Sequence, residues 1–590
     1  MNSANRQPAG TGHRKNIFNP ATAGSRGFRH SEGLLARPID SSPAAFTLRA
    51  VSSPTAECPP EAAAGSGAAS TRSTWRPYAI LALAGANLTL VQFVAMKEFS
   101  ALVGSNELVT LMVVAGYFLG LSGGYLVSDR LSRRGLLALG ALTLLLHASL
   151  PFSARWLAGA MAGINLAGNT PPFVFLLTMG GIAPFYAVFL PRLIEESTGS
   201  EPDPQGRQLA RCYGVEIAGG FLGLVIVFLL TPARMGLILT LHLLGLVTLL
   251  LLFTGGRPRW LFGLLALPAA YLSWWPLLDH ASLGYFYEQA RDFTAPKVIA
   301  SEFSPYQRVD LVEAGPPKDR ATYLYLNGNL LYGSRALHQH NLLVSLLPNV
   351  IAPRGPGHAL VIAGGSLDNA RYLAPRTKSL HVVEIDETVV RLTRKHLQEP
   401  RGDFPSNWEL AIDDGKHFLG AWNGEPFDVI SVDVPVPTHL QTAMLHSERF
   451  FTLAASRLAP DGIFSISLAG LLQNQPRDGS PPQRLANRVL AGLLRAFPHV
   501  SIVRVGDHDF AWASKSDLKL ESAALQRQAD TFLARLPEGR ATFGSPKLEV
   551  LPARLAQSLA LNAAPIGEAD MQIVLRLSWN KLYRRFYEPR

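Results

Sequence analysis

Between residues 77 and 276 the chain strings together seven long runs almost free of charged side chains. A soluble protein of buried helices does not supply so many in succession, so the runs predict a membrane domain. The candidate spans are 77–96, 108–127, 136–150, 173–190, 213–230, 235–253 and 260–275. Most approach the roughly 20 residues that cross about 30 Å of hydrocarbon. A patch of small residues, Gly219-Gly220-Phe221-Leu222-Gly223, would let two helices approach closely. Composition agrees: 48% of residues are hydrophobic and only 17% charged.

The flanks set the topology. Residues 1–73 are rich in Ser, Ala, Gly, Pro and Arg without an apolar period, and read as a disordered basic arm. Arg76 and the loop Asp129-Arg130-Leu131-Ser132-Arg133-Arg134 extend the basic character. Lys and Arg in such places are topology signals, so the net charge of +10 does not imply a nucleic-acid partner. Cys58 and Cys212 offer neither a disulfide framework nor a metal cluster. Seven spans from a cytoplasmic start would leave the C-terminal half outside; an eighth crossing within 156–170 would return it to the cytoplasm. The expectation is an integral, multi-pass protein of a bacterial inner or cell membrane, with about seven or eight helices over 74–280 and a cytoplasmic catalytic domain. Glu216, inside the fifth run, is either a local partner of Arg211 or an intramembrane proton or cation site.

Beyond residue 285 the pattern turns soluble and alternating. Val309-Asp310-Leu311-Val312-Glu313 and Tyr323-Leu324-Tyr325-Leu326 predict strands, and Asn327-Gly328 predicts a hairpin turn. This small β section, 285–350, precedes an α/β domain over 351–515 and a mixed, partly helical extension over 516–590. Within the α/β domain, Ala359-Leu360-Val361-Ile362 runs into Ala363-Gly364-Gly365-Ser366. About twenty residues later a second strand ends in Glu384-Ile385-Asp386, the spacing of a ribose-binding carboxylate. Asp413-Asp414-Gly415 and a third strand, ending at Asp433, complete the series.

Each element has a physical use. Gly364 and Gly365 permit a tight turn and close approach to a ligand. Glu384 can accept both hydroxyls of a ribose, Asp414 an adenine amino group, and Gly415 allows the turn after it. Asp433 would face the crevice at the carboxyl ends of the strands. Singly these signals also fit ordinary turns and helix caps; their order and spacing favour a nucleoside site.

The soluble half resembles the polyamine aminopropyltransferases, the spermidine and spermine synthase family, in its membrane-fused bacterial type. The resemblance rests on Tyr306-Gln307, Leu326-Asn327-Gly328, Val383-Glu384-Ile385-Asp386, Asp413-Asp414-Gly415, Asp428 to Asp433, and Leu445-His446-Ser447-Glu448-Arg449-Phe450-Phe451. It implies a Rossmann-like, class I methyltransferase-like domain behind a small β-hairpin section and a multi-span α-helical membrane domain. It further implies that Glu384 binds ribose, Asp414 adenine, Gln307 the ligands generally, and that Asp433 accepts a proton. The co-substrate would be decarboxylated S-adenosylmethionine, with no tightly bound cofactor and no metal. Partners would be an amine such as putrescine, the lipid bilayer and a second copy of the chain in a homo-oligomer.

The chain departs from the family on the amine side. Ser366 stands where the glycine motif carries an aspartate, Val436 where a second loop acid is usual, and Leu331 where a glutamine follows the hairpin. The acidic segment after the hairpin is replaced by Ala336-Leu337 and His340-Asn341-Leu342. Each lost charged hydrogen bond removes roughly 1.5–3 kcal/mol of attraction for a polycation. Two alternatives follow: a methyltransferase-like enzyme using S-adenosylmethionine itself, or a non-catalytic membrane protein that binds a nucleoside or polyamine. His338, His340 and His446 are candidate alternative bases, though each fits a packing histidine better.

Overall fold

The computed structural model describes residues 75–590 except 105, 164–175, 179, 199–205, 231–233, 257–258, 335–337, 356, 403, 473–484, 537–538, 562 and 588–590. The arm over 1–73 therefore lies outside the described residues. The apolar runs form helices α1 (Arg76–Val103), α2 (Asn106–Val127), α3 (Arg133–Gly163), α4 (Pro184–Ala187), α5 (Phe189–Thr198), α6 (Arg207–Leu230), α7 (Met235–Thr254) and α8 (Ala266–Arg291). Among the described residues six stretches are long and apolar enough to cross a membrane, against the seven or eight expected. The run 173–190 is the difference. Gly180, Gly181 and Pro184 interrupt it, leaving the short α4 and α5 instead of one continuous span. Residues 156–163 of the expected extra crossing belong to α3, and 164–170 lie outside the described residues.

Backbones touch where the glycine patch predicted. A Cβ on Gly219 would stand 2.0 Å from the Ala82 carbonyl, and one on Gly223 would stand 2.6 Å from that of Ala86. Gly85 meets the Glu216 carbonyl in the same way, so α1 and α6 pack nearly without side chains between them. The Glu216 carboxylate has one oxygen, Oε2, with no hydrogen-bond partner among the described residues.

The bundle has two distinct ends. At one, Arg76 donates to the carbonyls of Leu252 and Phe253, Arg133 to that of Thr254, and Arg192 to that of Ser128. At the other, a buried ion cluster joins helices to the soluble half. Arg155 of α3 binds Glu98 of α1 (2.8 Å) and Asp279 of α8 (2.7 Å), and Arg308 binds Glu98 (3.0 Å) and Asp310 (2.9 Å). Deleting one member would leave a buried charge unmatched, at about 3–5 kcal/mol.

Arg308 and Asp310 lie on β2 of a four-stranded antiparallel sheet: β1 (Lys297–Phe303), β2 (Arg308–Ala314), β3 (Ala321–Leu326) and β4 (Asn329–Gly333). Asn327, at φ +46°, and Gly328, at φ +66°, make the expected hairpin turn. The second sheet has eight strands: β5 (His358–Ile362), β6 (Ser379–Glu384), β7 (Glu409–Ile412), β8 (Phe427–Val432), β9 (Leu458–Ser467), β10 (His499–Val505), β11 (His508–Ser514) and β12 (Glu549–Leu551). Their order is β12-β10-β11-β9-β8-β5-β6-β7, parallel from β7 through β9, with β11 antiparallel to both neighbours. That is the class I methyltransferase arrangement. Strands such as β8 (Phe427-Asp428-Val429-Ile430-Ser431-Val432) are buried throughout, as a parallel strand covered on both faces must be. The extension 516–590 is part of this fold: it supplies β12, and its Ala556, Leu559, Ile573 and Val574 enter the core of one sheet face.

Candidate active site

Strand order reverses at β5, whose neighbours β6 and β8 lead away in opposite directions, and ligands bind such sheets at that switch point. Three carboxylates sit at the carboxyl ends there. Glu384 ends β6, Asp413 follows β7 and Asp433 follows β8, whose exit is fixed by Asp433 N–H donating to the Ile362 carbonyl (2.9 Å). A cavity opens between them. Its walls include Tyr306 and Gln307 from the β1–β2 turn, Leu326, Asn327 and Leu331 from the hairpin, and His439, Gln441 and Thr442 from the connection after β8, where Leu440–Met444 form a short helix capped by His439.

Glu384 is 6% exposed. Its Oε1 accepts from the Asp386 N–H (3.1 Å), and the Gly365 N–H also serves the carboxylate. Burial still pushes its pKa up to about 7, with the nearby Asp386 charge adding to the rise against those donors. The carboxylate faces the cavity.

The glycines act through space. A Cβ on Gly365 would stand 2.6 Å from Glu384 Oε2 and 2.7 Å from Val389, and one on Gly364 2.8 Å from Val382. Neither has a positive φ; the left-handed positions of this turn fall on Ala363 (φ +61°) and Leu367 (φ +55°). Gly415 is likewise forced, because its Cβ would meet Ile362 at 2.3 Å.

Asp414 borders the cavity and also caps the helix over Gly415–Ala421, accepting from the Lys416 and His417 N–H groups (2.9 Å each). The cap and the cavity position coexist. Gln307 reaches the site through Asp386: its Nε2 donates to Asp386 Oδ2 (3.1 Å), to which Ser304 also donates (2.7 Å). Asp386 in turn caps the next helix through the Thr388 N–H, so one carboxylate joins the small sheet to the large one.

Asp433, 8% exposed, is held on both oxygens. His340 Nε2 lies 2.9 Å from Oδ1, and Asn369 Nδ2 donates to Oδ2 at 2.9 Å. Of the three histidines weighed as bases, His340 alone touches this acid. His338 meets the Ser334 carbonyl, and His446 is fully buried against the Thr442 carbonyl, its pKa pushed down to about 4 by burial. Asn369 had no sequence signal beyond lying after the glycine turn. Asp368, two residues beyond Ser366, does not replace the missing acid. It is fully buried, paired with Arg401 (2.6 Å) and Asn341 (3.1 Å). Among the described residues the cavity walls hold Glu384, Asp413, Asp414 and Asp433 as their carboxylates, with Leu331, Val434 and Pro435 apolar.

A family model described as "Spermine/spermidine synthase domain" matches residues 340–472. The polyamine aminopropyltransferase of Mycobacterium tuberculosis is 28% identical over 479 residues, 75% of this chain and 86% of that protein. So wide a match reaches well into the apolar helices. The polyamine aminopropyltransferase of Thermococcus onnurineus is 31% identical over 206 residues, 34% of this chain and 66% of that protein. The crystal structure of spermidine synthase from Thermotoga maritima aligns at 22% identity with a TM-score of 0.34, covering 45% of this chain and 88% of that one.

Proposed function

We propose, for a chain that belongs to the polyamine aminopropyltransferase family and is a transferase by class, that the cavity binds decarboxylated S-adenosylmethionine and hands its aminopropyl group to an amine. Glu384 accepts the ribose hydroxyls, Asp414 the adenine amino group, and Gln307 helps hold the ligand, with Gly364, Gly365 and Gly415 clearing the space. The amine nitrogen attacks the methylene beside the sulfonium. As the new C–N bond forms, the C–S bond breaks and its electron pair stays on sulfur, giving methylthioadenosine. The nitrogen's surplus proton passes to Asp433, the proton acceptor. The sulfonium is already a good leaving group, so most of the protein's contribution is alignment of nucleophile and methylene.

The observation that supports this best is Asp433: a buried carboxylate on the cavity wall, aimed by Asn369 and His340, across from the ribose-binding position of Glu384. The acceptor side is poor in charge, which favours a small amine such as putrescine over a longer polycation. The six apolar helices embed the protein in a bilayer, so the transferase works at a membrane surface. The test is whether the full-length protein in detergent releases methylthioadenosine from decarboxylated S-adenosylmethionine when putrescine is added. Methyl transfer from S-adenosylmethionine in its place would overturn the reading.

A further inference from the structure

The last turns of α1, Gly104 and the first turn of α2 touch three separate walls of the nucleoside cavity. On the first, Lys97 Nζ donates to the Pro305 carbonyl (2.8 Å), next to Tyr306 and Gln307. On the second, Gly104, left-handed at φ +77°, lies so close to the hairpin that a Cβ there would stand 2.8 Å from Asn329 Oδ1 and 3.4 Å from the Asn327 carbonyl. On the third, Glu107 Oε1 accepts from the Leu440 N–H (2.7 Å), while Oε2 lies 3.5 Å from His439 Nδ1. His439 and its neighbours Gln441 and Thr442 line the cavity.

We propose that the adjoining ends of α1 and α2 frame the nucleoside cavity, and that Glu107 is a positioning residue for the segment after Asp433. This deepens the proposed function and rests on it. A helix of the apolar bundle thus holds the start of this segment in place through Glu107 before any ligand binds. Glu107 satisfies the Leu440 N–H at the start of the short helix Leu440–Met444, which His439 caps, in a segment that leaves the sheet after Asp433 without strand pairing. The membrane half is then part of the binding machinery as well as an anchor.

The experiment uses the full-length chain in nanodiscs, with Glu107→Ala and Glu107→Gln. Methylthioadenosine binding is read by calorimetry, the KM for the donor and kcat by turnover, and Leu440 amide exchange in the ligand-free protein by mass spectrometry. Glu107→Ala should raise both the methylthioadenosine Kd and the donor KM about tenfold while kcat changes less than about threefold, since loop order is lost before chemistry is. Glu107→Gln, which keeps an acceptor for the Leu440 N–H, should restore affinity to within about threefold. Faster exchange at Leu440 in Glu107→Ala would uphold the loop contact even if the wild type bound no methylthioadenosine, an outcome that would sink the proposed function alone. Unchanged exchange and unchanged affinity in Glu107→Ala would overturn the inference, whatever the reaction.

Discussion

In the proposed function Glu384 combines two roles that pull its ionisation in opposite directions. Burial without a ligand holds its pKa near 7, whereas ribose hydroxyls donating to it require the ionised form. The sign follows. Its folded-state pKa is raised, so its contribution to stability is complete below the unfolded value near 4.5 and is lost as pH rises through about 7. Ligand affinity runs the other way. Methylthioadenosine should bind several-fold more tightly at pH 8 than at pH 6, a dependence that calorimetry should find abolished in Glu384→Gln. That variant should also lose roughly 1.5–3 kcal/mol of binding at pH 8; an unchanged pH profile would separate Glu384 from the ligand. At this scale the sequence was informative where strands end in acids, since Glu384, Asp414 and Asp433 all reach the cavity. It was silent on what aims Asp433. His340 is 93 residues away in the chain and Asn369 64, and no periodicity links residues that meet only through sheet topology.

Gly364 and Gly365, expected to permit a tight turn and close approach to a ligand, leave the left-handed angles to Ala363 and Leu367 and themselves keep clear the space beside Val382, Glu384 and Val389. Gly365→Ala should therefore act on the carboxylate, displacing Glu384 and weakening methylthioadenosine binding by about tenfold or more, because misplacement near 1 Å has effects of that order. A variant that bound normally would place the glycine's role elsewhere. The run 173–190 carries a related lesson. Its hydropathy is that of a span, yet Gly180-Gly181 and Pro184 break the helix, and breakers inside an apolar run outweigh its average. The α/β unit itself was legible from alternating strands and acids; the contribution of residues 549–551 as a further strand was not, because three residues carry no period.

Across the whole molecule, chain direction fixes which parts share a face. The basic end, with Arg76, Arg133 and Thr254, lies opposite the ion cluster at Arg155 and Arg308 that receives the soluble half. We propose that these two ends lie on opposite faces of the bilayer. We predict that an impermeant thiol reagent will reach cysteines placed at Ser132 and at Ser516 from opposite faces of sealed vesicles; labelling of both from one face would refute this chain path. Turnover measures the proposed role of Asp433 most directly. Full-length wild type, given decarboxylated S-adenosylmethionine and putrescine, should release methylthioadenosine, and Asp433→Asn should lower kcat by roughly 10²–10⁴-fold with methylthioadenosine affinity held within a few-fold. Equal turnover by Asp433→Asn and wild type would contradict the assignment.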